Sequence, residues 1–150
     1  MTPEMREEIL DVARGWIGTP YRHQCSVKGH GADCLGLLRG VWREVFGAEP
    51  EAVPTYTPDW SEASGEERLW RAARRYLVAV PVCLPCFGDV VLFRMRRQAV
   101  AKHVGILSRS SGGLSTLVHA YSGKGVVETP LTEAWIRRIV AQFEFPERRA

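Results

Sequence analysis

Nothing in the 150 residues approaches the roughly 18 consecutive apolar residues that a membrane-spanning helix needs, so a helical span is not expected. The start of the chain, Met1 to Glu8, lacks the basic opening and apolar centre of a secretory leader. Unaided export by the general route is therefore not expected. The chain acts inside the cell, or it leaves as part of something larger. Strong charge of one sign is missing too: the formal net charge is only +3. Arginines do gather, at Arg68, Arg71, Arg74 and Arg75 and again at Arg94, Arg96 and Arg97. They read as a solvated helix face and a turn. Nucleic-acid binding would ask for more charge with interleaved aromatics and is not expected; an anionic polymer or a particle is a compatible partner. There is no repeat, no low-complexity tract and no linker long enough to divide the chain, so one domain over 1–150 is expected.

What is present is ordinary globular material, 45% hydrophobic and 25% charged. Thr2-Pro3-Glu4 is a helix start, with Thr2 as cap and Pro3 in the first turn. Met5, Ile9, Ala13 and Trp16 follow on one stripe, and Gly18 and Pro20 end it. A loop from Thr19 to Ala32 carries Tyr21, His23, Cys25 and His30. A second helix is expected from Cys34 to Phe46, capped by Asp33 and stopped by Gly47, with Leu35, Leu38, Val41 or Trp42, and Val45 as its buried face. Gly36 and Gly40 each cost about 1 kcal/mol there relative to alanine, which points to close packing. Residues 54–61 form an irregular connection, and a weaker third helix is expected over 62–76.

From Phe87 onward the period becomes that of strands. Extended runs are expected over 89–94, 100–107, 114–121, 125–128 and 138–145, with a hairpin turn from Ser108 to Gly113 and a short turn or helix from Thr129 to Trp135. Helices first and antiparallel strands after make an α+β fold.

Asp33-Cys34-Leu35-Gly36-Leu37-Leu38 is the most informative stretch. It sets a thiol where a helix begins, and a helix start stabilises an anion through its partial charge and free N–H groups. The expected consequence is an acidified, nucleophilic thiol. His103 and His119 lie on two strands of the expected hairpin. With a turn centred near Ser111 or Gly112 they fall nearly opposite each other on one face, so one imidazole can orient the other. Cysteine, base and orienter are the parts that thiol-based acyl transfer needs.

These residues together resemble the NlpC-type cell-wall peptidases, a papain-like family of cysteine endopeptidases. Three blocks carry the resemblance: Gly18-Thr19-Pro20-Tyr21-Arg22 with Asp33-Cys34-Leu35-Gly36-Leu37; Gly88-Asp89-Val90-Val91-Leu92-Phe93 with His103-Val104-Gly105-Ile106; and Val118-His119-Ala120. The run from Asp33 to Glu44 looks most like a subgroup encoded with phage tails and gene transfer agents. The resemblance implies a papain-like α+β fold, with N-terminal helices on a mainly antiparallel sheet. It implies a cysteine peptidase cutting peptide bonds in peptidoglycan stems, typically after D-glutamate and before a diamino acid. A tail-like particle would carry it to the wall of the target cell, and the partners would be tail or baseplate proteins. Cys34 would be the nucleophile, His103 the base and later the acid, and His119 the residue orienting His103. Tyr21 would sit by the sulfur with Asp33 at the oxyanion and substrate side. No metal or cofactor is required. Leu35 stands where many members have serine, which leaves the subsite for a free stem-peptide amine open.

Three other readings are open. One is a silent tail or baseplate subunit of the same fold; an acyltransferase on that fold would use the same residues. The third is a metal module on Cys25, Cys83 and Cys86 with His23 or His30. Plain thiols and a disulfide are further options for those three cysteines.

Overall fold

In a computed structural model, residues 1–58, 60, 64–84 and 86–148 are described. Helix α1 runs Pro3–Arg14, and Thr2 caps it by accepting the Met5 N–H. Its expected stripe of Met5, Ile9, Ala13 and Trp16 is buried. Two short strands follow, β1 (Ser26–Val27) and β2 (Gly31–Ala32), paired antiparallel. Helix α2 runs Cys34–Phe46 and α3 Arg68–Tyr76. The remaining elements are β3 (Val78–Val80), β4 (Val90–Phe93), β5 (His103–Arg109), β6 (Ser115–Tyr121), β7 (Gly125–Pro130), α4 (Glu133–Ile136) and β8 (Ile139–Glu144).

Strands β3 to β8 form one antiparallel sheet in the order β3-β8-β4-β5-β6-β7. Helices α1 and α2 pack on the face that presents Val90, Leu92, Val104, Ile106, Val118 and Ala120. The opposite face carries Val91, Phe93, Leu107 and Leu117, covered by Leu131 with Trp135 and Ile139 alongside. Both faces of β4 are thus shielded, which is why it reads as an unbroken apolar run rather than an alternating one. The architecture is the expected papain-like α+β arrangement of helices on an antiparallel sheet.

Several expectations need correction. The buried face of α2 is Leu37, Val41 and Val45, whereas Leu35 and Leu38 are only half-buried and line a neighbouring groove. The glycines of that helix have the close-packing role expected of them. A Cβ on Gly36 would lie 1.8 Å from the Cys25 carbonyl oxygen, and one on Gly40 would lie 2.0 Å from the Trp16 ring. Gly36 thus meets backbone, but Gly40 meets a side chain. Helix α3 begins at Arg68 rather than 62, because Gly65 turns the chain at φ +72° just before it. Residues 61–63 lie outside the described ones. Strand β5 opens at His103, three residues later than expected. The chain before it is held off the ladder by the Ala101 N–H, which donates to Glu67 Oε2 at 3.0 Å. Strand β3 and the β1–β2 hairpin carried too few residues to show a period.

Candidate active site

The amino end of α2 is built by Asp33. Its Oδ1 accepts the Gly36 N–H at 2.7 Å, and its Oδ2 accepts the Gln24 N–H at 2.7 Å. The Tyr56 hydroxyl donates to Oδ2 as well. Gln24 takes a left-handed backbone (φ 63°), which turns its N–H toward the carboxylate. Asp33 is buried, and the structure commits its carboxylate to this cap rather than to an open surface. The cap fixes where the helix begins and so where Cys34 stands.

Cys34 is the first residue of α2 and is buried. Its thiol lies 3.6 Å from the Lys102 carbonyl oxygen. The N–H of Val104 also points at the sulfur, as do those of Leu35 and of Cys34 itself. Lys102 and Val104 flank His103, so the sulfur is seated on the backbone around that histidine. Tyr21 is bridged to Ala32, next to the cap, and close enough to Cys34 and Asp33 to be affected by their charge. Burial, with those two charges, pushes its hydroxyl up to about 12.

His103 and His119 are both buried, and Nε2 of His103 lies 2.8 Å from Nδ1 of His119. The register pairs Ile106 with Val118. Continued by one residue, it sets Gly105 opposite His119. The histidines are therefore diagonal neighbours on one face rather than directly opposed. Gly105 makes this possible: a Cβ there would come within 3.2 Å of the His119 Cβ and 2.5 Å of a Leu117 methyl. On its far side His119 Nε2 lies 3.0 Å from Thr129 Oγ1. Trp135 covers the pair, with ring centroids 5.6 Å from His103 and 5.1 Å from His119. Phe93 packs against both His103 and Trp135.

The electrostatics overturn one expectation. A helix start was expected to acidify the Cys34 thiol. Burial opposes this and wins, pushing the thiol up to about 12, although three N–H groups pull the other way. Burial also pulls His103 down to about 3, with the neighbouring His119 adding to the effect, and pulls His119 down to about 4. Burial thus favours the neutral form of both the Cys34 thiol and the His103 imidazole.

The sequence reading missed Thr129, Trp135, Tyr56 and Gln24. Thr129 was hidden because the expected strand stopped at Glu128, whereas β7 continues to Pro130 and carries Thr129 on the His119 face. Trp135 belongs to a four-residue helix, too short to show a period. His23 makes a contact at the edge of the site, 3.0 Å from the Tyr56 carbonyl oxygen. The candidate metal ligands are not gathered in one place. Cys25 lies in the loop before α2, and Cys83 and Cys86 lie in the loop before β4. Among the described residues no three His, Cys, Asp or Glu side chains group closely enough to hold a metal.

Residues 18–144 match the NlpC/P60 family. The chain is 27% identical over 135 residues to a protein of Escherichia coli strain K12 named murein DD-endopeptidase MepS/murein LD-carboxypeptidase. The match covers 90% of this chain and 60% of that protein, so the chain spans about three fifths of its relative's length. A Staphylococcus aureus Mu50 crystal structure, described as similar to a lipoprotein of the NLP/P60 family, matches with a TM-score of 0.64. That match is 16% identical and covers 99% of this chain and 43% of the other, and it supports the fold.

Proposed function

The chain belongs to the NlpC/P60 family, and on that premise we propose that it is a cysteine peptidase that hydrolyses peptide bonds in peptidoglycan stem peptides. The observation that carries this reading is the seating of the Cys34 sulfur against the backbone flanking His103, with His103 held 2.8 Å from His119. The hydrogen bond at Nε2 leaves Nδ1 of His103 to serve the sulfur.

In this reading Nδ1 takes the thiol proton as the sulfur attacks the scissile carbonyl carbon. A carbon–sulfur bond forms, and the carbonyl electrons move to the oxygen. The Cys34 backbone N–H at the helix start and the Tyr21 hydroxyl are the donors for that oxyanion. The imidazolium then gives its proton to the leaving nitrogen, and the carbon–nitrogen bond breaks. Water, deprotonated by His103, cleaves the thioester and restores the thiol. A base depressed by burial is unprotonated at neutral pH, as the first step requires. The charge that forms on it is met by His119, which accepts at Nδ1 and donates from Nε2 to Thr129.

Within stem peptides, the bond after D-glutamate and before a diamino acid is the first to test, because the motif blocks resemble enzymes with that preference. The Escherichia coli relative is named for DD-endopeptidase and LD-carboxypeptidase activities, which adds two other bonds to the assay. Carriage on a phage-tail-like particle is part of the proposal; its support is the resemblance of the Asp33 to Glu44 run.

Mass spectrometry of fragments released from purified sacculi tests the activity. Wild-type protein should release stem-peptide fragments, and Cys34→Ala should release none while melting normally. Undiminished release by Cys34→Ala would end the cysteine mechanism. Tail-like particles purified from producing cells should contain the chain; particles free of it would end the carriage proposal.

A further inference from the structure

A pocket of about 420 Å³ opens between the β4–β5 loop and the α4–β8 junction, and five of its eight lining residues are arginines: Arg94, Arg96, Arg97, Arg137 and Arg138. It adjoins the proposed catalytic rings through the chain itself. Arg94 follows Phe93, and Arg137 and Arg138 follow Trp135 closely, while Phe93 and Trp135 touch each other and His103.

Two of these arginines are held by carbonyl groups. Arg94 Nε donates to the Ala99 oxygen at 2.8 Å. Arg138 donates from Nε to the Met95 oxygen at 3.3 Å and from Nη1 to the Ala134 oxygen at 2.8 Å. Such bonds orient a guanidinium without neutralising it. Glu67 meets Arg94 at 3.4 Å, and Glu133 meets Arg137 at 4.0 Å on the exposed rim. Arg97 and Arg138 have no carboxylate partner among the described residues. The pocket is therefore a concave, partly preorganised set of cations on the segments that follow Phe93 and Trp135, the two rings packed against His103.

We propose that this pocket is an anion subsite that takes a free carboxylate of the substrate peptide. The proposal rests on the hydrolase reading above and adds to it what the substrate must carry. A stem peptide containing D-glutamate and a diamino acid keeps carboxyl groups that are not spent in its backbone. The guanidinium fork matches a planar carboxylate with two parallel hydrogen bonds. Because the pocket is open to water, its contribution weakens with salt.

The test uses soluble muropeptides with free carboxylates and the same muropeptides after carbodiimide-mediated amidation. Binding to Cys34→Ala is measured by calorimetry, and turnover by the active chain gives KM. Arg97→Glu and the double variant with Arg137→Glu should weaken binding of the free-carboxylate form and raise its KM, each about tenfold. Amidation should raise the wild-type values to nearly those of the variants, so that the difference between proteins disappears. Arg148→Glu makes the same charge change away from the pocket and controls for net charge. Affinities that are unchanged by Arg97→Glu, or equally reduced for both muropeptide forms, overturn the subsite. So does tighter binding of poly(glycerol phosphate) than of muropeptide, which would assign the cations to a phosphate polymer. Sacculi left undigested while arginine-dependent binding persists would remove the hydrolase reading and keep the subsite. Normal digestion with arginine-independent binding would remove the subsite alone.

Discussion

Nε2 of His103 lies 2.8 Å from Nδ1 of His119, although the strand register offsets the two residues by two positions. The missing side chain at Gly105 is what lets the His119 ring lean across. For Nδ1 of His103 to act as the proposed base, Nε2 must carry the proton, and His119 would then accept at Nδ1 and donate from Nε2 to Thr129.

Thr129→Val removes the last acceptor of that chain. A neutral hydrogen bond contributes on the order of 1 kcal/mol, so kcat should fall about fivefold with KM little changed. Thr129→Ser should restore it, and the acid limb of the pH–rate profile should move in Thr129→Val. Steady-state kinetics on muropeptides check this. A Thr129→Val enzyme with wild-type kcat and pH profile would remove Thr129 from the relay.

Thiol reactivity should follow the neutral forms that burial favours. Burial holds the Cys34 thiol up and the His103 imidazole down, so alkylation by iodoacetamide should be slow at pH 6 and climb with pH. Fast, pH-independent labelling below pH 6 would show a thiolate–imidazolium pair at rest.

Acid should destabilise the fold through the same histidines. Their pKa values are lowered, to about 3 and about 4, against an unfolded value near 6.5. Their contribution is complete above pH 6.5 and is lost as pH falls toward those lower values. Each fully depressed histidine costs about 2 kcal/mol between pH 6.5 and 5. Urea midpoints should drop over that range, and less steeply in His103→Gln. A midpoint flat from pH 7 to pH 5 would contradict the burial of both rings.

Helix α2 owes its position to a glycine. Gly36→Ala would drive a methyl into the Cys25 carbonyl, 1.8 Å away, and overpacking of this kind costs about 1–3 kcal/mol or more. Denaturant unfolding should show that loss, and activity should fall with it because α2 carries Cys34. A Gly36→Ala protein of unchanged stability and activity would mean that the loop moves aside freely.

The sequence disclosed the parts whose signal is local. The Thr2 and Asp33 caps, the stripe of α1, the start of α2 at Cys34 and the period-2 strands could all be read from adjacent residues. The histidine pair was legible because a hairpin links two strands through one turn. What escaped depends on distant packing. The burial that raises the Cys34 thiol comes from β5 and the surrounding core, and a helix-start argument contains no measure of it. Tyr56 reaches Asp33 across 23 residues of chain from an irregular segment with no periodicity. The arginines of the anion pocket looked like a turn because Arg137 and Arg138, which complete it, lie some 40 residues further on.

The most direct test of the central claim is the intact mass of the wild-type chain, quenched in acid during turnover of muropeptides. The account predicts a peptidyl adduct that maps to Cys34 after digestion and is absent from Cys34→Ser. Turnover with no adduct in the wild type, or with an adduct on another residue, would contradict it.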